Sequence, residues 1–285
     1  MKIGIVGIGN IGIYHIREFL NNNYTVIASV SSKFKEIEEK YNISLNNYKN
    51  TENLIKNENI DLMVICSPTD THYMYTKMCL QNDISVFCEK PFVYNYKEDN
   101  VSRCKELLLM AQTKNLFLNT NTQWVYGIEQ IKYLIPKKLN KIVLYMEHYK
   151  QKEDINFFTE NFSHMNSIII YLLGNKKISN LNTDTDNYPC IFNFYYGNIE
   201  IEYRLNYPHN KKIIFQFNDT IFNRKVDKDY NQYFQINNEK IRIEDPLKLS
   251  IKNFVEKKNL IEDKDILKNV EITEYIIKKI EINKL

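Results

Sequence analysis

Apolar positions in the first half of the chain form short continuous runs separated by stretches of helical period. Lys2 to Val6 reads as a buried strand, and Ile13, Ile16, Phe19 and Leu20 then recur at helical spacing over 11–20. Tyr24 to Val30 is a second β-rich run, followed by a charged helical stretch from Phe34 to Tyr41. Asp61 to Cys66 and Ile84 to Cys88 are further strands, with a helix from Thr71 to Gln81 between them. A long helix from about Tyr96 to Lys114 leads into a strand from Leu116 to Thr120. This alternation predicts βαβ units on a doubly wound parallel sheet. After Trp124 the pattern changes. A helix over about 127–134, a strand from Lys141 to His148 and a helix over about 161–173 come first. Runs rich in Tyr, Phe and Ile follow, namely Cys190 to Tyr196, Ile199 to Leu205, Ile213 to Phe217 and Tyr233 to Ile236, with a hairpin turn at Tyr196-Gly197-Asn198. They lack intervening helices and predict an open, largely antiparallel or mixed sheet. Helices over about 246–257 and 264–282 close the chain. The expected organisation is α/β over 1–122 and α+β over 123–285, with the last helix able to pack back on the first domain.

Composition narrows the function classes. The chain has 285 residues, 44% of them hydrophobic and 26% charged, as in a globular protein. The longest apolar run, Ile168 to Leu173, is too short to span a bilayer, and the start of the chain lacks the apolar core of a secretory signal. A cytoplasmic protein with no membrane partner is expected. The net charge of +3 is small, and the C-terminal lysines alternate with Glu and Asp, so no nucleic-acid partner is expected. Cys66, Cys79, Cys88, Cys104 and Cys190 have no metal-ligand spacing, and no metal site is expected; Cys66 and Cys88 read as buried thiols. Of only seven glycines, Gly4, Gly7, Gly9 and Gly12 fall in the first twelve residues, which marks a place where only glycine fits.

Gly7-Ile8-Gly9-Asn10-Ile11-Gly12 fits G-x-G-x-x-G, following a strand and opening a helix. In a Rossmann domain Gly7 makes the tight turn, Gly9 lets a pyrophosphate approach, and Gly12 packs the helix on the sheet. Gly7, Gly9, Asn10, Ile11 and Gly12 are therefore candidate dinucleotide contacts. At the end of the second strand an acidic residue would bind ribose hydroxyls, but the chain has Ser31-Ser32-Lys33. No carboxylate repels a 2′-phosphate there and Lys33 can pair with one, which favours NADP over NAD.

Two further motifs, Ile65-Cys66-Ser67-Pro68-Thr69-Asp70-Thr71-His72 and Cys88-Glu89-Lys90-Pro91, follow the fourth and fifth strands. With the glycine loop they resemble the glucose–fructose oxidoreductase, inositol dehydrogenase and rhizopine-catabolism (Gfo/Idh/MocA) family. The resemblance implies that Ser67, Pro68, Thr69 and His72 border the cofactor and that Glu89, Lys90 and Pro91 reach the nicotinamide ribose, with Lys90 touching the substrate oxygen. A lysine at the C-terminal end of a parallel strand can also stabilise an alkoxide-like oxygen on its own chemistry. Glu160-Asn161-Phe162-Ser163-His164 resembles the family's Asp-x-x-x-His segment, with Phe162 at a position often glycine and Ser167 where many members have a second Asp. Glu160 and His164 at i and i+4 share a helical face or place Glu160 just ahead of it; His164 is the candidate proton carrier and Glu160 its support. Within Asn119-Thr120-Asn121-Thr122-Gln123-Trp124, Gln123 stands where the family carries Arg, and Trp124 is expected to pack between domains. His15, His148 and His209 have no partner evident in sequence, and a packing or solvated role is expected for His15.

The expected activity is hydride transfer between NAD(P) and a hydroxyl or ketone of a sugar, cyclitol or sugar derivative, a polar small molecule. Reduction of a C=N or C=C bond in a non-sugar metabolite and a non-catalytic dinucleotide sensor are the alternatives. The resemblance also implies a homodimer or homotetramer.

Overall fold

Strand β1 (Lys2–Val6) is buried beyond its first residue and lies in the middle of a six-stranded sheet. The computed structural model describes residues 1–147, 155–207 and 212–283, so His148 and His209 lie outside the described residues. The first part of the chain runs through α1 (Asn10–Asn21), β2 (Thr25–Val30), α2 (Phe34–Tyr41), β3 (Asn46–Asn47), α3 (Thr51–Asn57), β4 (Leu62–Ile65), α4 (His72–Gln81), β5 (Ser85–Cys88), α5 (Asn100–Thr113) and β6 (Leu118–Thr120). Every pair in the sheet is parallel and the order is β3-β2-β1-β4-β5-β6, the doubly wound arrangement.

Register decides what this sheet presents. Val6 pairs with Val30 and Ile65, Ile65 with Cys88, and Cys88 with Thr120. The strands therefore end level, and the next residue of each (Gly7, Ser31, Cys66, Glu89 and Asn121) falls on one rim of the sheet. Val6, Ile65 and Cys88 at the strand ends are apolar and buried, which leaves the rim loops to carry polar chemistry.

The chain continues through α6 (Gln123–Ile131), β7 (Lys141–Glu147), α7 (Ile155–Leu173), β8 (Ile178–Asp184), β9 (Cys190–Tyr196), β10 (Ile199–Asn206), β11 (Ile213–Phe217), β12 (Thr220–Val226), β13 (Gln232–Ile236), β14 (Glu239–Ile243), α8 (Pro246–Val255) and α9 (Asp263–Asn283). Strands β7 to β14 form one sheet in the order β14-β13-β12-β11-β7-β10-β9-β8, antiparallel except for the β7–β10 pair. Its core is aromatic. Phe162 stacks on Phe158 and meets Phe192 edge-on at 4.9 Å, and Asn166 joins the Tyr203 hydroxyl to Thr273. Trp124 packs within this unit, edge-on to Phe215 with Arg224 over its ring.

Residues 1–121 and 250–270 form one compact unit, and 122–249 and 271–285 the other. A single boundary near 122 thus describes the chain only as far as residue 249. Aromatic packing accounts for the return: Phe254 of α8 stacks on Phe87 at 4.4 Å and meets Phe117 at 5.0 Å.

Several element ends differ from the sequence expectation. Helix α7 starts at or before Ile155 rather than near 161, because Phe158 and Phe162 pack as an i,i+4 aromatic pair. Helix α5 starts at Asn100 rather than near 96, because the Asp99 carboxylate accepts the Ser102 N–H at 2.9 Å and caps it. Strands β8, β12 and β14 and helix α3 were not expected; their polar outward residues, such as Asn223, Arg224 and Lys225, mask the apolar alternation. The five cysteines are buried free thiols. Asp99→Ala should cost about 1 kcal/mol through loss of this cap, read as a lowered urea midpoint with an unchanged m-value.

Candidate active site

The turn from β1 into α1 shows why each glycine is there. Gly7 has φ +89°, and a Cβ on it would stand 2.7 Å from the Cys66 carbonyl oxygen. A Cβ on Gly12 would collide with the Gly7 carbonyl oxygen, so these two positions hold the helix against the sheet. Gly9 is different: a Cβ there would meet nothing within 4 Å. Gly9 and Asn10 are exposed and Ile11 is half-buried. Gly9 caps α1 without any side-chain hydrogen bond, and no acidic residue occupies the first turn. The N–H groups of that turn thus lack a side-chain acceptor, while the helix dipole favours an anion at the same point. This cradle fits a dinucleotide pyrophosphate in shape and in charge.

Beyond β2, Ser31 is half-buried and Ser32 and Lys33 are exposed. Asn47 of β3 fixes this loop, its Oδ1 accepting from Ser29 Oγ at 2.8 Å and from the Ser31 N–H at 3.2 Å. The Ser31 hydroxyl in turn accepts the Lys33 N–H at 3.1 Å, at the start of α2.

The loop after β4 is self-bonded. The Thr71 hydroxyl donates to the Pro68 carbonyl at 2.6 Å and lies 2.6 Å from Ser67 Oγ. Ser67 and Thr69 are half-buried and Pro68 is exposed. His72 is buried, with Nδ1 2.8 Å from the Pro91 carbonyl and Nε2 2.9 Å from the Ser67 carbonyl. The ring thus lies between a carbonyl of the β4 loop and one of the β5 loop, and its N–H can donate to either. Burial pushes its pKa below the ordinary histidine value, against the two carbonyls and Glu89, which favour the charged ring.

The β5 loop carries the densest electrostatics of the rim. Glu89 is buried, and its carboxylate faces inward: Oε1 accepts from His15 Nε2 at 2.6 Å and from Asn121 Nδ2 at 2.7 Å, and Oε2 from the Lys90 N–H at 3.2 Å. Asn121 is oriented by Ser250, whose hydroxyl donates to Asn121 Oδ1 at 3.0 Å. Burial alone would raise the Glu89 pKa, but His15, Lys90 and Asn121 outweigh it and hold the group at about 2. Glu89 therefore organises the loop from inside. Lys90 is half-buried, and the Lys90–Pro91 peptide is cis. Cys66 and Cys88 stand beside Glu89, and burial pushes both thiols far up, which makes them inert.

In the second unit, every residue of α7 from Asn156 to Ile170 is buried except Asn156, Glu160 and His164. These three are four apart and form one half-exposed stripe. Glu160 lies more than one turn past Ile155, too deep for a role in stabilising the helix N-terminus. Phe162 belongs to the aromatic core, and the Ser167 hydroxyl donates to the His164 carbonyl at 2.7 Å.

Residues 1–122 match the model of the Gfo/Idh/MocA family, an oxidoreductase family with an NAD-binding Rossmann fold. The likeness to this family is thus carried by the first 122 residues. A myo-inositol 2-dehydrogenase of Thermotoga maritima is 31% identical over 99 residues, 33% of this chain and 29% of that protein. A UDP-N-acetylglucosamine 3-dehydrogenase of Acidithiobacillus ferrooxidans is 24% identical over 123 residues, 41% of this chain and 36% of that protein. The chain thus spans about a third of these relatives' length. Likeness of fold extends further: a dehydrogenase (MviM) of Clostridium difficile superposes with TM-score 0.75 at 17% identity, covering 98% of this chain and 99% of that one. The Acidithiobacillus enzyme superposes with TM-score 0.73 at 14% identity, covering 96% and 95%.

His15, Asn47, Asn121 and Ser250 were not among the site residues expected from sequence. His15, read there as a packing or solvated residue, is buried and hydrogen-bonded to Glu89. Its position three residues past Gly12 was the available signal, since that spacing returns a side chain to the helix face above the loop. Among the described residues, no group of three or more His, Cys, Asp or Glu could hold a metal ion, and no helix is long and apolar enough to cross a membrane.

The glycines separate two effects. Gly9→Ala should fold like the natural chain yet bind dinucleotide at least tenfold more weakly, about 1.4 kcal/mol, whereas Gly12→Ala should lower the unfolding midpoint as well. Thermal unfolding and nicotinamide-fluorescence titration read the two. Acid titration tests Glu89. Its folded pKa lies below its ordinary 4.5, so its contribution to stability is present above pH 4.5 and is lost as pH falls through about 2. The stability gap between the natural chain and Glu89→Gln should therefore shrink across that window in urea unfolding.

Proposed function

We propose that the chain is an NAD(P)-dependent oxidoreductase moving a hydride between nicotinamide and a hydroxyl or ketone carbon of a sugar, cyclitol or sugar derivative. The observation that carries this reading is the uncapped N-terminus of α1 beside open space at Gly9, on the same sheet rim as Lys90. The inositol and UDP-sugar dehydrogenases among the relatives support a polyhydroxylated substrate. NADP is favoured over NAD. The rim after β2 offers Ser31, Ser32 and exposed Lys33, and no carboxylate stands among them to repel a 2′-phosphate.

When bound, the nicotinamide supplies the hydride acceptor or donor. The α1 N-terminus holds the pyrophosphate, and Lys90 polarises the substrate oxygen as charge develops on it. His164 takes or gives the hydroxyl proton, and Glu160, one turn earlier on the same stripe, favours its imidazolium form. Balance is simple: oxidation removes a hydride from carbon and a proton from oxygen, and reduction returns both.

Ser167 favours a second reading. Where relatives offer a carboxylate to a hydroxyl, its own hydroxyl is spent on the His164 carbonyl. Reduction of a C=N or C=C bond in a non-sugar metabolite fits that reduced hydroxyl-binding capacity.

Titration with NADPH and NADH should give tighter binding of NADPH, and Lys33→Glu should shift the ratio toward NADH by about tenfold. Lys90→Met and His164→Ala should each lower kcat by about 10²-fold or more in a screen of cyclitols, ketoses and nucleotide sugars. Turnover unchanged in either variant overturns the assigned roles, and binding of neither dinucleotide overturns the reading as a whole.

A further inference from the structure

Lys90 is gripped on both sides by residues from outside its own loop. Downstream, His72 holds the Pro91 carbonyl. Upstream, the Glu89 carboxylate is taken by His15 of α1 and by Asn121. His15 sits one turn past Gly12, on the helix whose uncapped end forms the anion cradle. Its ring lies edge-on to Phe87 at 5.5 Å and stacks toward Phe19 at 6.4 Å, so packing keeps Nε2 aimed at Glu89.

The contact matters because of what Glu89 would otherwise do. A buried carboxylate must find partners, and the nearest cation along the chain is Lys90 itself. At 2.6 Å, His15 occupies Oε1 and turns it toward α1. Without that donor Oε1 keeps only the Asn121 amide, and the under-partnered carboxylate would draw the neighbouring ammonium into an ion pair within the loop and off the substrate oxygen.

We propose that His15 is a positioning residue for Lys90, tying the lysine through Glu89 to the helix that carries the glycine loop. The helix that seats the dinucleotide then also sets where the lysine's charge lies. This inference rests on the reading of Lys90 as the group that contacts the substrate oxygen.

The test compares lysine acetylation rates, using limiting N-hydroxysuccinimidyl acetate and peptide mass spectrometry, with exposed Lys105 as internal reference. His15→Phe keeps the ring packing and removes the donor. His15→Gln places an amide nitrogen where Nε2 stands. Lys90 should acetylate about fivefold more slowly in His15→Phe, because an ammonium paired with Glu89 gives up its proton less readily, and at close to the natural rate in His15→Gln. Should the phenylalanine variant fail to fold, His15→Asn, whose amide reproduces the Nδ1 position and not Nε2, carries the same expectation. A merely structural role would lower the unfolding midpoint and leave Lys90 unchanged or faster, and either rate overturns the proposal. So does a slow Lys90 in His15→Gln, since the donor would then not be what matters. Failure of the natural chain to bind NADPH or NADH is a separate result: it overturns the cofactor reading while the acetylation comparison still decides the role of His15.

Discussion

A carboxylate kept ionised inside the protein constrains everything around it, and Glu89 is that group here. Removing such a charge from water costs several kcal/mol unless its oxygens are fully partnered. Histidine, asparagine and a backbone N–H meet that requirement from three places: α1, the end of β6 and the next residue of the chain. Ser250 of α8 then fixes the asparagine. Satisfying one buried charge thus pins the glycine-loop helix, the β5 loop and the returning α8 segment to one another. The same charge lies one residue from the lysine that the proposed chemistry needs, so positioning and electrostatics cannot be tuned separately.

Level strand ends give this arrangement its reach. Because Val6, Val30, Ile65, Cys88 and Thr120 pair in a continuous row, the residues that follow them are placed along one rim without any long loop. Parallel strands buried on both faces have nowhere else to put polar groups. The glycines then divide the labour. Gly7 and Gly12 permit close backbone approach, while Gly9 leaves space open. A motif that looks uniform in sequence therefore contains two packing positions and one beside open space.

Legibility in the sequence follows from the range of the interactions involved. The parallel sheet and glycine turn were readable because they rest on local period and on residues a few positions apart. Glu160 and His164 were readable as a pair because four residues is a helical turn, and the structure shows that stripe on α7. The start of α7 was not, since Phe158 and Phe162 belong to a core whose other half, Phe192 and Tyr203, comes later in the chain. The partners of His15 and Ser250 were not readable for the same reason. They lie 74 and 129 residues away, which neither period nor composition records. Strands such as β12 were hidden by charge on their outward face.

The two units differ in how far their chemistry is specified. The first unit holds a family match, a formed anion cradle and a buried network that orders the Lys90 loop. In the second, Phe162 and Ser167 depart from the family pattern. Ser167 turns its hydroxyl to backbone, and Phe162 is committed to the core. The proposed cofactor use and hydride transfer thus rest chiefly on the part of the chain that matches the family, and the proposed substrate choice on the part that departs from its pattern. A chain built this way is best approached by fixing the dinucleotide first and then varying the substrate, because the α7 stripe of Asn156, Glu160 and His164 offers few hydroxyl-binding groups beyond those the proposed proton transfer would use.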